Sequence, residues 1–194
     1  SPIMMPAFSH LNKVGKDGKK PMLEYAKAAK ALNILNWVGM EPDDEFKEIA
    51  DIGAKTVRII KPFADHDIIF EQIEFAKKCG AVAVGVDIDH VPGTDGKYDI
   101  VDGIAMGPVT QSDLEEYAKF AKIPFVAKGV LSVQDAVKAK LAGCSAIVVS
   151  HHHGRIPFGI RQDTIRFSHQ NCPAVQDDFL PVKVRDSRSA HECR

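Results

Sequence analysis

Short apolar runs alternate with amphipathic segments along residues 1–155 of the 194-residue chain. Most runs are rich in Val and Ile and are bounded by Gly, Pro or charged residues, which is typical of buried parallel strands. They predict six strands, at residues 3–7, 32–37, 56–60, 81–87, 125–130 and 146–150.

The segments between these runs have the character of helices, through apolar side chains at helical spacing or through Ala- and Lys-rich composition. Ser112 and Ser132 are predicted N-caps, because Glu115 and Asp135 follow them three residues later, as in a capping box. The predicted helices span residues 22–31, 41–52, 65–79, 112–122 and 132–142.

Six strand–helix units at a spacing of about 25 residues predict an α/β protein with a parallel sheet covered by helices. A doubly wound sheet and a TIM (β/α)8-type barrel both fit this pattern. The barrel is favoured because polar residues collect at the carboxyl end of one strand after another, where a barrel forms its site. These residues are Asn36 and Trp37, Lys61, Asp87 with Asp89 and His90, Lys128, and 150–155. Six units do not close eight strands, so we predict an incomplete barrel.

The composition is that of an ordinary globular protein. The chain is 45% hydrophobic, has a formal net charge of -1 and contains four scattered cysteines. These values exclude disordered, fibrous and disulfide-scaffold proteins and do not favour a nucleic-acid partner. No apolar run approaches the roughly 18 residues of a membrane span, and residues 1–5 lack the features of a signal peptide. We therefore expect a cytoplasmic protein.

Residues 1–155 and 156–194 differ in character, which predicts a boundary between them. Seventeen of the 18 lysines lie at or before Lys140, whereas six of the seven arginines lie at or after Arg155. Segment 161–178 fits neither the helical nor the strand period. One explanation is a polar, poorly ordered tail. We favour another, in which residues 156–194 are foreign to the parent fold through truncation or a shifted reading frame.

Two segments carry candidate chemistry. Lys128 lies inside an apolar strand, so its ammonium group needs an anion unless it reaches the solvent at the barrel mouth. An imidazole and a guanidinium in the segment 150–155 suit a base beside a carboxylate clamp. Three consecutive histidines also leave open a metal site, and a solvated polar loop is a further alternative. Asp87, Asp89 and His90 offer weaker grounds for a divalent cation site, with a helix cap or a loop salt bridge as the alternative.

Residues 124–136 (PFVAKGVLSVQDA) and 142–155 (AGCSAIVVSHHHGR) resemble the FMN-dependent 2-hydroxy-acid oxidases and dehydrogenases, which are TIM barrels. The resemblance implies that Lys128 faces the flavin N1–C2=O edge, that His152 is the catalytic base and that Arg155 binds the substrate carboxylate. It also implies that Trp37 lines the substrate pocket. The residues implied to contact FMN besides Lys128 are Ser150, Asn36 and Ala7.

The chain departs from the family pattern at several positions. Residues 59–61 (IIK) replace Gln-x-Tyr, Gly85 replaces a threonine, and His151 and His153 replace Asn and Gly. The phosphate-binding motifs Asp-Gly-Gly-x-Arg and Gly-Arg, which the family carries on its seventh and eighth strands, have no counterpart after residue 155. The resemblance implies oxidation of a small 2-hydroxy acid. Because the phosphate-binding motifs are missing, we expect this chain to bind FMN weakly. The two missing strand–helix units favour self-association as a homo-oligomer. The alternatives are another flavin- or phosphate-binding barrel, such as the type 2 isopentenyl diphosphate isomerases, and a non-catalytic partner-binding module.

Overall fold

A computed structural model describes residues 3–91 and 97–151. Five parallel strands form one sheet, and strands that follow each other along the chain lie side by side in it. A short hairpin, described below, lies outside this sheet. The order is β1 (Asn36–Val38), β2 (Thr56–Ile60), β3 (Ala83–Asp87), β6 (Phe125–Lys128) and β7 (Ala146–Val148). A doubly wound sheet reverses its strand order at a switch point, and this sheet does not. The prediction of an incomplete α/β barrel is therefore confirmed.

Helices pack on one face of the sheet and bury its larger apolar cluster. All five predicted helices form, and they are α1 (Pro21–Ala31), α2 (Asp43–Asp51), α3 (His66–Lys78), α4 (Gln111–Ala121) and α5 (Val133–Leu141), preceded by a 3-10 helix at Leu11–Val14. Phe46, Ile49, Ile69, Ile73 and Tyr117 are fully buried in this cluster. Within the described residues, no helix is both long and apolar enough to cross a membrane.

The predicted first strand, at residues 3–7, is wrong. Residues 3–7 form no strand, and directly after them Phe8 makes an isolated parallel bridge with Val38 of β1. The Met5 amide donates to the Leu35 carbonyl, and the Gly39 amide donates to the Phe8 carbonyl. Pro6 has no amide hydrogen to donate, so a regular ladder cannot continue through it.

The predicted second strand begins too early. Residue 32 closes α1 as its C-cap, and β1 starts only at Asn36. The apolar run at 32–37 therefore combines the end of a helix with the start of a strand.

The α4 cap was predicted two residues too late. The Thr110 hydroxyl accepts from the Asp113 amide, and the Asp113 carboxylate accepts from the Thr110 amide, so this pair forms the capping box. Ser112 lies inside the helix. The predicted cap at Ser132 is confirmed, because its hydroxyl accepts from the Asp135 amide.

A short hairpin between β3 and α4 was not predicted. It consists of β4 (Ile100–Val101) and β5 (Ile104–Ala105), joined by Asp102 and Gly103 with φ angles of 50° and 82°. Asp-Gly is a strong signal for such a turn, but two-residue strands give no readable alternation. The hairpin is tied to the loop after β2, because the Ala64 amide donates to the Ala105 carbonyl.

The opposite face of the sheet carries a second, smaller apolar cluster. It consists of Trp37, Val57, Ile59, Ala83, Val126 and Val148, with Met4, Ala7, Leu35 and Ala146 packed against it. We call this face of the sheet the inner face, since in a barrel it faces the lumen. Strand alternation continues it toward the carboxyl ends of the strands. The boundary predicted at residue 155 lies outside the described residues and stays a prediction.

Candidate active site

The inner face ends in charged side chains on three neighbouring strands. Alternation from Val57 and Ile59 places Lys61 on this face, and alternation from Ala83 and Gly85 places Asp87 there. Lys128 is the register partner of Asp87 across β3 and β6. Parallel strands thus bring the three side chains to one end of the sheet.

The Asp87 carboxylate lies between two ammonium groups. Its Oδ1 is 2.6 Å from Lys128 Nζ, and its Oδ2 is 3.2 Å from Lys61 Nζ. Asp87 is only 3% exposed, and a buried carboxylate requires such partners. Lys128 therefore has the anion that its position in an apolar strand requires.

Lys61 continues the polar network toward the loop after β3. Its Nζ is 2.5 Å from His90 Nδ1, and His90 Nε2 is 2.7 Å from Asp99 Oδ2. Burial lowers the pKa of Lys61, because desolvation disfavours its charge; the nearby Lys128 adds to this effect, and Asp87 opposes it.

Asp87 belongs to a network of ion pairs with Lys61 and Lys128. Among the described residues, no three or more His, Cys, Asp or Glu side chains converge so that they could hold a metal ion. Asp89 is buried and packs against Gly129, where an added Cβ would lie 2.3 Å from Asp89 Cγ. Gly129 also has a φ of 97°, so both the space and the backbone require glycine directly after Lys128.

Four of the predicted site residues lie on the inner face. Trp37 belongs to the inner-face cluster and Ala7 packs against it, while alternation from Val126 and Val148 places Lys128 and Ser150 there. Trp37 Nε1 and Ser150 Oγ are both buried, and neither has a hydrogen-bond partner within the part of the chain that the structure describes. Buried polar atoms are normally paired, so these two are suited to contact a bound molecule.

Asn36 is the one predicted site residue within the described part of the chain that lies away from this group. Alternation places Asn36 on the helix-covered face, where its Nδ2 lies 3.5 Å from Thr56 Oγ1. Its predicted contact with a cofactor stays a prediction. His152 and Arg155 lie outside the described residues, and their roles also stay predictions.

The sequence indicates Lys61 only as a polar residue at a strand end, and Asp87 as one of three candidate ligands of a divalent cation. The signal was present in the alternation, because each lies two positions beyond an inner-face residue. The sequence does not show which strands lie side by side, or in which register. Only the sheet register shows that Asp87 stands beside Lys128.

A cavity of about 350 Å³ lies beside the network, and Lys61 and Ile59 contribute to its lining. Glu41 also lines it, and burial raises the pKa of this carboxyl to about 7, with Glu45 adding to the shift. The buried Arg58 guanidinium, 4.3 Å from the centre of the Phe46 ring, donates to the Glu41 carbonyl oxygen. The cavity thus joins the strand ends to a second group of buried charges.

Comparison with known proteins gives a family match in the second half of the chain. Residues 92–164 match the sequence model of the family described as FMN-dependent dehydrogenase. An L-lactate oxidase from Nostoc sp. is 38% identical over 71 residues, which are 37% of this chain and 20% of that protein. The L-lactate dehydrogenase (cytochrome) of Saccharomyces cerevisiae is 45% identical over 47 residues, which are 24% of this chain and 8% of that protein.

Solved structures of mandelate oxidase share the fold. One aligns with a TM-score of 0.74 at 20% identity, over 94% of this chain and 58% of that one. A second, a complex with (S)-2-phenylpropionate, aligns with a TM-score of 0.73 at 21% identity, over 93% and 56%. The chain thus spans little more than half the length of these proteins. Over residues 92–164, the chain is thus similar to the FMN-dependent dehydrogenase family, which includes enzymes that oxidise 2-hydroxy acids.

Proposed function

We propose that the chain is part of an FMN-dependent oxidoreductase that oxidises a small 2-hydroxy acid to the 2-oxo acid. The observation that carries this proposal is the Lys128 ammonium group, which Asp87 holds at the carboxyl end of β6 on the inner face. Two relatives named for the oxidation of L-lactate, one an oxidase and one a dehydrogenase, support this class of reaction.

The inner face has the chemistry that a flavin requires. Its cluster offers an apolar surface, and Trp37 Nε1 and Ser150 Oγ offer buried polar atoms that have no hydrogen-bond partner among residues 3–91 and 97–151. Lys128 would place positive charge at the polar edge of the ring. FMN, when bound, would supply the two-electron chemistry, and the protein would supply position and charge.

The other two roles fall to His152 and Arg155. The Arg155 guanidinium would bind the substrate carboxylate with two parallel hydrogen bonds and so orient the 2-carbon. The His152 imidazole would take a proton from the substrate as its two electrons pass to FMN. A preorganised charge such as that of Lys128 typically contributes about 10²–10³ in rate.

The first test is the visible absorbance of the purified chain after incubation with FMN and thorough desalting. Retained flavin that is bleached by a 2-hydroxy acid without oxygen would support the whole proposal. Retained flavin that no 2-hydroxy acid bleaches would contradict the reaction. A folded, colourless protein would contradict FMN binding by this chain and agree with the weak binding expected from the missing phosphate motifs.

The carboxylate clamp is tested by Arg155→Lys. An ammonium group cannot reproduce the two-pronged contact of a guanidinium, so we expect the dissociation constant of the acid to rise by roughly tenfold or more. Flavin retention should remain near that of the unaltered chain. Equal losses of acid and flavin binding would show that Arg155 does not hold the substrate.

A further inference from the structure

A continuous chain of five polar side chains crosses the mouth of the sheet. It runs from Asp99 through His90, Lys61 and Asp87 to Lys128, with contacts of 2.7, 2.5, 3.2 and 2.6 Å in that order. Lys61, Asp87 and His90 are buried, and the Lys128 side chain is 13% exposed. Contacts among charged groups in such a setting are strong, because little water competes with them.

The hydrogen bonds define the tautomer of His90. An ammonium group can only donate, so Lys61 Nζ donates to His90 Nδ1, which must carry no proton. The proton therefore resides on Nε2 and is donated to the Asp99 carboxylate. With Nδ1 as the acceptor and Nε2 as the donor, both ring nitrogens of His90 have a partner.

Asp99 is in turn fixed to the backbone around the hairpin. Its amide donates to the Val91 carbonyl, its carbonyl accepts from the Met106 amide, and its carboxylate accepts from the Ile100 amide. The far end of the polar chain is therefore anchored, while its near end is the lysine proposed to face the flavin.

From this geometry we propose that His90 is a positioning residue. Its Nδ1 keeps the Lys61 ammonium on Asp87 Oδ2, so that Asp87 is shared between two lysines. The shared carboxylate neutralises less of the Lys128 charge than an unshared one would. His90 thus determines how much positive charge Lys128 presents to the flavin edge, a consequence that rests on the proposed function.

Two substitutions separate the two contacts of His90. The amide oxygen of asparagine lies near the position of Nδ1, so His90→Asn keeps an acceptor for Lys61 and loses the contact to Asp99. The amide nitrogen of glutamine lies near the position of Nε2, so His90→Gln keeps the donor to Asp99 and loses the contact to Lys61. The two variants are therefore matched controls for one another.

The first readout needs no flavin. The ¹⁵N NMR signals of the histidine ring, measured on the full chain without FMN, report which nitrogen carries the proton. We expect an unprotonated Nδ1 for His90, with a signal that moves in Lys61→Met because its hydrogen-bond donor is lost. A proton on Nδ1, or no change in Lys61→Met, would overturn the proposal whatever the chain does with flavin.

The second readout uses the FMN-loaded chain and sulfite. The sulfite lone pair would form a bond to flavin N5 and displace the electron pair of the N5=C4a double bond, so that negative charge would appear at the N1–C2=O edge, where Lys128 would stabilise it. Loss of one charge-assisted contact should raise the sulfite dissociation constant roughly tenfold in His90→Gln and in Lys61→Met. His90→Asn should remain within about twofold of the unaltered chain. Equal effects of the Asn and Gln variants would reduce His90 to a structural residue.

The outcomes also separate this proposal from the proposed function. If the NMR result is as expected and the protein retains no FMN, the row of five polar side chains exists. Its proposed effect on a flavin is then refuted for this protein. If FMN is retained and sulfite binding is unchanged in Lys61→Met, the flavin site stands and the positioning role falls.

Discussion

Asp87 is the residue on which the charges of the candidate site depend. One buried carboxylate contacts two ammonium groups, and its removal would leave two lysines of like charge with a common neutral neighbour. A buried ion pair that loses one partner costs far more than an exposed pair, because the remaining charge has no water to solvate it.

We expect Asp87→Asn to lower the free energy of unfolding by about 2–4 kcal/mol. The matched control is Asp51→Asn, which breaks the exposed ion pair with Lys47 and should cost less than about 0.5 kcal/mol. Urea unfolding of both variants near neutral pH measures the difference. Similar values for the two would contradict the buried network.

Glu41 is a second residue with a testable consequence. Burial raises its pKa in the folded protein to about 7, from an ordinary value of 4.5. Between these two values the folded state binds more protons than the unfolded state does, so this group lowers stability as the pH rises. The loss begins near the unfolded pKa and is complete above the folded pKa.

Glu41→Gln should therefore make the free energy of unfolding less dependent on pH. We measure the difference in the free energy of unfolding between this variant and the unaltered chain. We expect this difference to be about 1–3 kcal/mol more favourable to the variant at pH 8 than at pH 5. The Gln side-chain oxygen still accepts from the His10 amide, so the backbone contact is kept. Chemical denaturation at the two pH values, with the exposed Glu48→Gln as control, checks the sign. A stability gain confined to pH 5 would refute it.

At the scale of elements, local signals account for most helices but not for every boundary. Asp65, which was predicted as the first residue of a helix, is the N-cap of α3 and accepts from the Asp67 amide. The α4 cap shows the difficulty, since Thr110 with Asp113 and Ser112 with Glu115 are both plausible capping boxes. The choice between them depends on where the chain leaves the hairpin, which local sequence does not encode.

We expect Thr110→Ala to destabilise the protein by about 1 kcal/mol, since it removes the acceptor for the Asp113 amide. Ser112→Ala, inside the helix and exposed, should change stability by less than about 0.5 kcal/mol. Thermal unfolding of the two variants distinguishes the two caps. A larger loss in Ser112→Ala would restore the boundary that the sequence predicts.

At the scale of the whole molecule, the sheet has two faces with different tasks. The helix-covered face holds the larger apolar cluster, whereas the inner face holds a smaller cluster that leads to the charged strand ends. Close strand packing on the inner face leaves no room at Gly85. An added Cβ there would lie 2.3 Å from the Val126 carbonyl oxygen and 2.8 Å from Val126 Cβ.

Gly85→Ala should therefore lower the free energy of unfolding by roughly 2–3 kcal/mol, because the clash involves the backbone of the neighbouring strand. Adding Val126→Gly removes the contact with Val126 Cβ but leaves the contact with the carbonyl oxygen, so it should not restore stability. Unfolding of the single and double variants tests this. Full recovery in the double variant would mean that side-chain volume alone excludes a residue at position 85. The threonine that the family resemblance predicts there does not fit this sheet.

The sequence by itself determined the number and order of most elements. It also indicated the resemblance to FMN-dependent oxidases and dehydrogenases. Apolar runs bounded by Gly and Pro and helical periodicity are local properties, so β2, β3, β6 and all five helices could be predicted from them. The motif around Lys128 likewise lies in one continuous stretch. The sequence alone did not reveal the hairpin, because two-residue strands have no readable alternation. It also did not show that residues 3–7 form no strand, because a strand depends on pairing with a neighbouring strand. The tertiary structure decided which side chains meet. Asp87 contacts Lys61 and Lys128, 26 and 41 positions away, and only the strand register brings them together.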